Sequence, residues 1–226
     1  MSDQSETSNS APQISIRDTL FGDMPLSDWP RADAAHTDQE PWNAFVAARS
    51  CLQAGDQEQA IAFLQSVTDM SGLESRHLAQ AWHLLRQLGV VPPEHQAKEL
   101  YGVVVEVGLE TGLEIVAAYS DLSARYLHAS GSMIAWELPD PTIEKAAQAL
   151  LDAARPIVAQ IGPWEGERRP APANGVVRLS MLTPSGIHFG EGPMNALSAD
   201  PMGGPVINAA TQLLAALVDK TQSQTE

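Results

Sequence analysis

The sequence predicts an α+β fold: an N-terminal helical segment packed with an antiparallel sheet flanked by helices, in the order β-β-β-β-α-β-β-α. Three observations carry this. Apolar residues recur at helical spacing from Glu40 to Gly89, the period changes to that of strands at Tyr101, and tight turns rather than long crossovers separate most later segments.

In the helical region Pro41 suits a first helical position, and Trp42, Phe45, Val46, Ala48 and Leu52 follow at i, i+3, i+4 spacings. Gly55-Asp56 closes this helix. Gln57 to Met70 forms the next, burying Ala60, Ile61, Leu64 and Val67, and Glu74 to Leu88 a third, with Leu78, Ala81, Trp82 and Leu85 on one stripe. Gly89 and then Pro92-Pro93 end it.

Within this region AARSCLQAGDQEQAIAFLQSV resembles the middle of a tetratricopeptide repeat, with Ala48, Gly55, Asp56, Ala60 and Ile61 where that family's pattern wants them. The likeness extends over about residues 44–88. It implies two antiparallel helices in close approach around a Gly-Asp turn, and a role in protein–protein interaction. Cys51 and Gln57 stand where aromatic residues are usual, and Val67 where a small one is. One and a half repeats cannot close their own apolar faces, so the helices are expected to lean on the rest of the chain.

From Tyr101 the β-branched run Val103, Val104, Val105 and Val107 reads as a strand, Thr111-Gly112 as a turn and Leu113 to Tyr119 as the returning strand. Ala124 to Ala129 and Ser132 to Glu137 add two more around Ser130-Gly131. Asp140-Pro141 supplies an N-cap and first-turn proline for a helix to about Ile161, which Pro156 is expected to kink or split. Val176 to Leu182 and Ile187 to Gly190 flank the hairpin turn Thr183-Pro184-Ser185-Gly186, and Gly203-Gly204-Pro205 leads into a last helix to about Asp219. This element order is similar to that of the profilin-like and roadblock-like scaffolds of small bacterial regulators.

The implied organisation is a disordered tail over 1–13, an N-terminal arm over 14–39, the helical region over 40–93, the α+β domain over 94–219 and a second tail over 220–226. A net charge of −15 repels phosphate backbones and anionic lipid, so neither nucleic acid nor membrane is expected as a partner. The single cysteine, Cys51, excludes an intrachain disulfide framework, and the polar start MSDQSETSNS lacks the character of a signal peptide, so a cytoplasmic location is expected.

Chemistry-bearing constellations are sparse. His77 and His83 lie on different helical faces with no third ligand, and no metal, cofactor or catalytic residue is assigned. Glu106, Glu110 and Glu114 surround the first hairpin turn and read as solvated; Trp136 and Trp164 read as core caps. In Gly186-Ile-His-Phe-Gly-Glu-Gly192, Ile187 and Phe189 face one side of a strand and His188 the other. His188, Glu191, Gly190 and Gly192 are therefore candidate ligand-binding residues, with Glu191 able to orient the imidazole if the chain bends at Gly190.

The arm is the other candidate. Ile14 to Pro30 is rich in apolar residues, of which Leu20, Phe21, Met24 and Trp29 are the candidate partner-binding residues, either for another protein or for self-association. Its removal is expected to leave the core folded. The leading expectation is thus a noncatalytic interaction or regulatory protein. A small-molecule-binding module with a site near the glycine-rich segment 186–204 stands second, and an enzyme with a scattered site third.

Overall fold

A computed structural model of the protein describes residues 16–25 and 38–223. Trp29 and both chain ends, with most of the two expected tails, fall outside the described residues. The helical region forms α1 (Trp42–Gln53), α2 (Gln57–Thr68) and α3 (Ser75–Gln87). Gly55 takes the left-handed conformation at φ +81° that ends α1, and the Asp56 carboxylate then accepts from the Gln59 N–H to cap α2. Ala48, Ala60 and Leu64 are completely buried where α1 and α2 meet.

The remainder follows the expected order. β1 (Gly102–Leu109), β2 (Gly112–Tyr119), β3 (Ala124–Leu127) and β4 (Met133–Trp136) precede α4 (Pro141–Gln160). Then come β5 (Val176–Thr183), β6 (Gly186–Pro193), a short α5 (Met194–Ala199) and α6 (Gly203–Ser223). The strands form one antiparallel sheet in the order β4-β3-β2-β1-β5-β6.

Strand alternation sorts the sheet into two faces. Val103, Val105, Val116, Ala118, Val177, Leu179 and Met181 face α4 and α6 in the largest apolar core. Val104, Ile115, Ala117, Tyr119 and Leu182 face the other way, where Leu20 and Phe21 of the arm cover them. Two helices on one side and the arm on the other therefore sandwich the sheet, and α3 extends the arm's layer through Gly22, whose backbone passes Arg76 and Ala79.

α4 begins at the expected cap: Asp140 accepts from the Thr142 and Ile143 N–H groups, and Lys220 near the end of α6 donates to its second oxygen at 2.7 Å. Pro156 neither kinks α4 into two elements nor ends it. It lies on the exposed side, while Ala154, Ile157 and Val158 hold the same turn in the core. No described helix is long and apolar enough to cross a membrane.

Candidate functional site

The register of β1, β5 and β6 builds the floor of a cleft. Glu106, Arg178 and Glu191 lie side by side across the three strands, as do Val104, Ser180 and Phe189, and Leu182 pairs with Ile187. All point to the arm side of the sheet. Over them stand one face of α3, contributing Ala79, His83, Arg86 and Gln87, the arm at Phe21 to Asp23, and the loop from Pro163 to Arg169. The enclosed space is about 490 Å³.

Ion pairs hold these walls together. Arg168 reaches from the loop to the arm, bonding Asp23 at 2.5 Å and Asp18 at 2.6 Å, and its guanidinium lies 4.3 Å from the Phe21 ring centroid. Arg17 bonds Glu106 at 2.6 Å from the arm side. Arg178 bonds Glu191 at 2.6 Å and donates to the carbonyls of Arg169 and Pro170, tying the loop to the floor. Trp164 closes the outer rim, its backbone N–H donating to the Ile187 carbonyl at 2.7 Å and its ring packing edge-on against Phe189 at 5.4 Å.

Arg86 differs from the other cleft arginines. One of its Nη groups donates to the Pro184 carbonyl at 2.7 Å, and it forms no ion pair among the described residues. Burial pulls its pKa down to about 10, with the nearby Asp23 charge opposing the shift, so it remains a cation at neutral pH. One turn earlier on the same face, burial likewise lowers the pKa of His83.

The sequence-level candidates are placed as follows. Leu20 and Phe21 are 1% and 2% exposed, buried against the chain's own sheet rather than offered to a partner. Met24 packs against the helical core, its backbone N–H and carbonyl both bonded to the Gln80 amide at 2.9 Å. Leu20, Phe21 and Met24 thus find an apolar surface within the chain itself. Trp29 lies outside the described residues.

His188 does face away from Ile187 and Phe189, and this turns it out of the cleft. It is fully buried, with Nδ1 3.1 Å from the Ile161 carbonyl and Nε2 3.2 Å from Ser185 Oγ. Glu191 does not orient it; the strand continues straight through Gly190, so Glu191 stays on the cleft side with Arg178 and Arg169. Gly190 and Gly192 do not line the cleft, whereas Gly186, Ile187 and Phe189 of the same strand do. Gly203 and Gly204 serve packing: a Cβ on Gly204 would lie 2.7 Å from the Ser198 carbonyl.

Two further expectations are corrected. Glu106 is not solvated but completely buried between Arg17 and Arg178, since the turn lies three residues beyond it and its side chain points into the sheet's arm face. Trp164 is half exposed on the cleft rim, while Trp136 is buried. Sequence reasoning missed Arg86, which follows Leu84-Leu85, and Arg178, a single arginine flanked by Val177 and Leu179. An arginine inside the strand Val176–Thr183 was the available signal, because a charge at a buried strand position requires a partner.

The Ser185–His188 contact resembles a nucleophile and its base, with the Ile161 carbonyl fixing the tautomer. The Ser185 N–H is already engaged by the Ala97 carbonyl, so it does not supply an oxyanion donor. Among the described residues no group of three or more His, Cys, Asp and Glu is placed to hold a metal ion. Comparison with protein-family models, curated proteins and solved structures finds no match to this chain.

Proposed function

We propose that this chain is a noncatalytic binding protein whose cleft over β5 and β6 takes a small molecule. The observation that supports it is the cleft itself: about 490 Å³, within the range of small-molecule sites, with aromatic walls and a few convergent polar groups drawn from four separate stretches of chain. A regulatory role follows naturally, because a ligand touching arm, helix and sheet together changes how firmly they hold to one another.

The test is a thermal-shift screen of the full chain against a metabolite collection, followed by calorimetry. A ligand that raises the melting temperature and whose binding falls on Phe189→Ala supports the reading. Hydrolysis of a simple activated ester, abolished by Ser185→Ala, would overturn the noncatalytic part. Absence of any ligand that depends on the cleft residues would overturn the whole.

A second reading, an interaction protein that self-associates, is favoured by the outer edge of the sheet. Among the described residues β4 has no neighbour beyond it, and Met133 and Leu138 are 45% and 71% exposed there. Light scattering that shows a dimer, converted to monomer by Met133→Glu with Leu138→Glu, supports this; a monomer at high concentration removes it.

A further inference from the structure

The charge arrangement of the cleft narrows what it binds, given that it binds a small molecule at all. Each of its other cations already has a carboxylate: Arg168 has Asp18 and Asp23, Arg178 has Glu106 and Glu191, and Arg169 has Glu191. Arg86 alone among the cleft arginines has none among the described residues, and only one carbonyl accepts from it. Arg86 lines the cleft beside Gly186, where an added Cβ would lie 3.9 Å from its Nε.

A half-buried guanidinium with unused donors matches the planar fork of a carboxylate. The matching is to a single negative charge. Glu165 and Glu167, which form no ion pair among the described residues, also line the space, so a phosphate dianion would bring a surplus charge beside two carboxylates. The apolar part of the lining is Leu182, Ile187, Phe189, Pro163 and the Trp164 ring.

We infer that the cleft binds a small monocarboxylate with an aromatic or branched apolar body, its carboxylate on Arg86 and its body against Phe189, Ile187 and Leu182. Arg86 thereby supplies recognition of charge, and the apolar side chains of the floor supply the contact for the body. Gln87 and His83, one residue on and one turn back along α3, flank the carboxylate position and are bonded to each other at 3.0 Å.

The inference is tested with the full chain by isothermal calorimetry, using 3-phenylpropionate, its uncharged amide and phenyl phosphate. The acid is expected to bind about ten- to a hundredfold more tightly than the amide, as for a hydrogen bond to a charged group, and more tightly than phenyl phosphate. Arg86→Gln should abolish that preference, the acid losing more affinity than the amide. Because Arg86 also holds the Pro184 carbonyl, a second variant leaves the fold's contacts alone. Glu165→Gln with Glu167→Gln should tighten phenyl phosphate severalfold relative to the acid.

Equal binding of acid and amide, or an Arg86→Gln variant that folds and keeps the preference, overturns the carboxylate inference while leaving a binding cleft in place. Tighter binding of phenyl phosphate than of the acid to the unaltered chain overturns the monoanion assignment. If none of the three binds and no other aryl or branched-alkyl acid does, this inference fails, and only a neutral ligand from the wider screen would then sustain the cleft as a binding site.

Discussion

Glu106 and Arg178 face each other across β1 and β5, in register and on the same side of the sheet, with Arg178 Nη1 3.4 Å from Glu106 Oε2. Both side chains are at most 5% exposed. Arg17 bonds the other Glu106 oxygen, so the carboxylate is shared between the sheet and the arm. Removing one member of a buried pair leaves its partner's charge uncompensated, which costs more than the intact pair contributes. Glu106→Ala is therefore expected to destabilise the fold by about 3–5 kcal/mol, and the double change Glu106→Ala with Arg178→Met by less than the two single changes together. Urea denaturation of the three variants measures this.

The arm is part of the fold, and Gly22 is its narrowest point. At φ +60° it adopts a conformation that side chains disfavour, and an added Cβ would lie 2.7 Å from the Arg76 carbonyl and 2.9 Å from the Ala79 Cβ. Gly22→Ala is expected to loosen the arm from α3 and lower stability by about 1–3 kcal/mol. Limited proteolysis should then cut the variant within 16–25 under conditions that spare the unaltered chain. Unchanged cleavage would show that the arm does not depend on this contact.

Deleting residues 1–24 should be costly, contrary to what sequence alone suggested, because Leu20 and Phe21 cover Val104, Ile115 and Tyr119. Two fully buried side chains of this size contribute roughly 3–6 kcal/mol at ~1.5–3 each. The Tyr119 hydroxyl also loses its acceptor, the Leu20 carbonyl at 2.8 Å. The deletion variant is expected to melt at a clearly lower temperature. A melting temperature equal to that of the full chain would sink this account of the arm.

Acid should destabilise the protein before its carboxylates titrate. Burial lowers the pKa of His188, His77 and His83 below the ordinary 6.5, so each resists protonation in the fold. The unfolded chain takes up protons near pH ~6.5 that the folded one refuses, so stability falls as pH drops through that value and is fully retained above it. The slope is at most about 1.4 kcal/mol per pH unit for each histidine. Asp121, Asp140 and Asp200, held below their ordinary value by hydrogen bonds, add their own loss at lower pH. Urea midpoints should decline as the pH falls from about 7.5 to about 5.5, and less steeply in His188→Gln.

Pro156 sits inside α4 at an exposed position and leaves the helix one hydrogen bond short. Pro156→Ala is expected to raise stability, by about 1–3 kcal/mol. Thermal melts decide it, and a drop would mean that the proline's restriction of the unfolded chain outweighs the missing bond.

How much was legible follows the range of the forces involved. The element order, the strand and helix periods, the Asp140-Pro141 helix start and the outward turn of His188 from Ile187 and Phe189 are local properties. They depend on residues within a few positions of one another, and the sequence by itself determined them. The destinations of the charged and apolar side chains are not local. Glu106 and Arg178 are 72 residues apart and Arg168 and Asp23 are 145 apart, and nothing in either neighbourhood names the other. Only the tertiary structure decided that Leu20 and Phe21 face inward, that Glu106 is buried, and that Arg86 meets the Pro184 carbonyl. The physical reason is that burial is a property of what arrives from elsewhere in the chain: the sheet's second face needed a cover, and the arm reached it first.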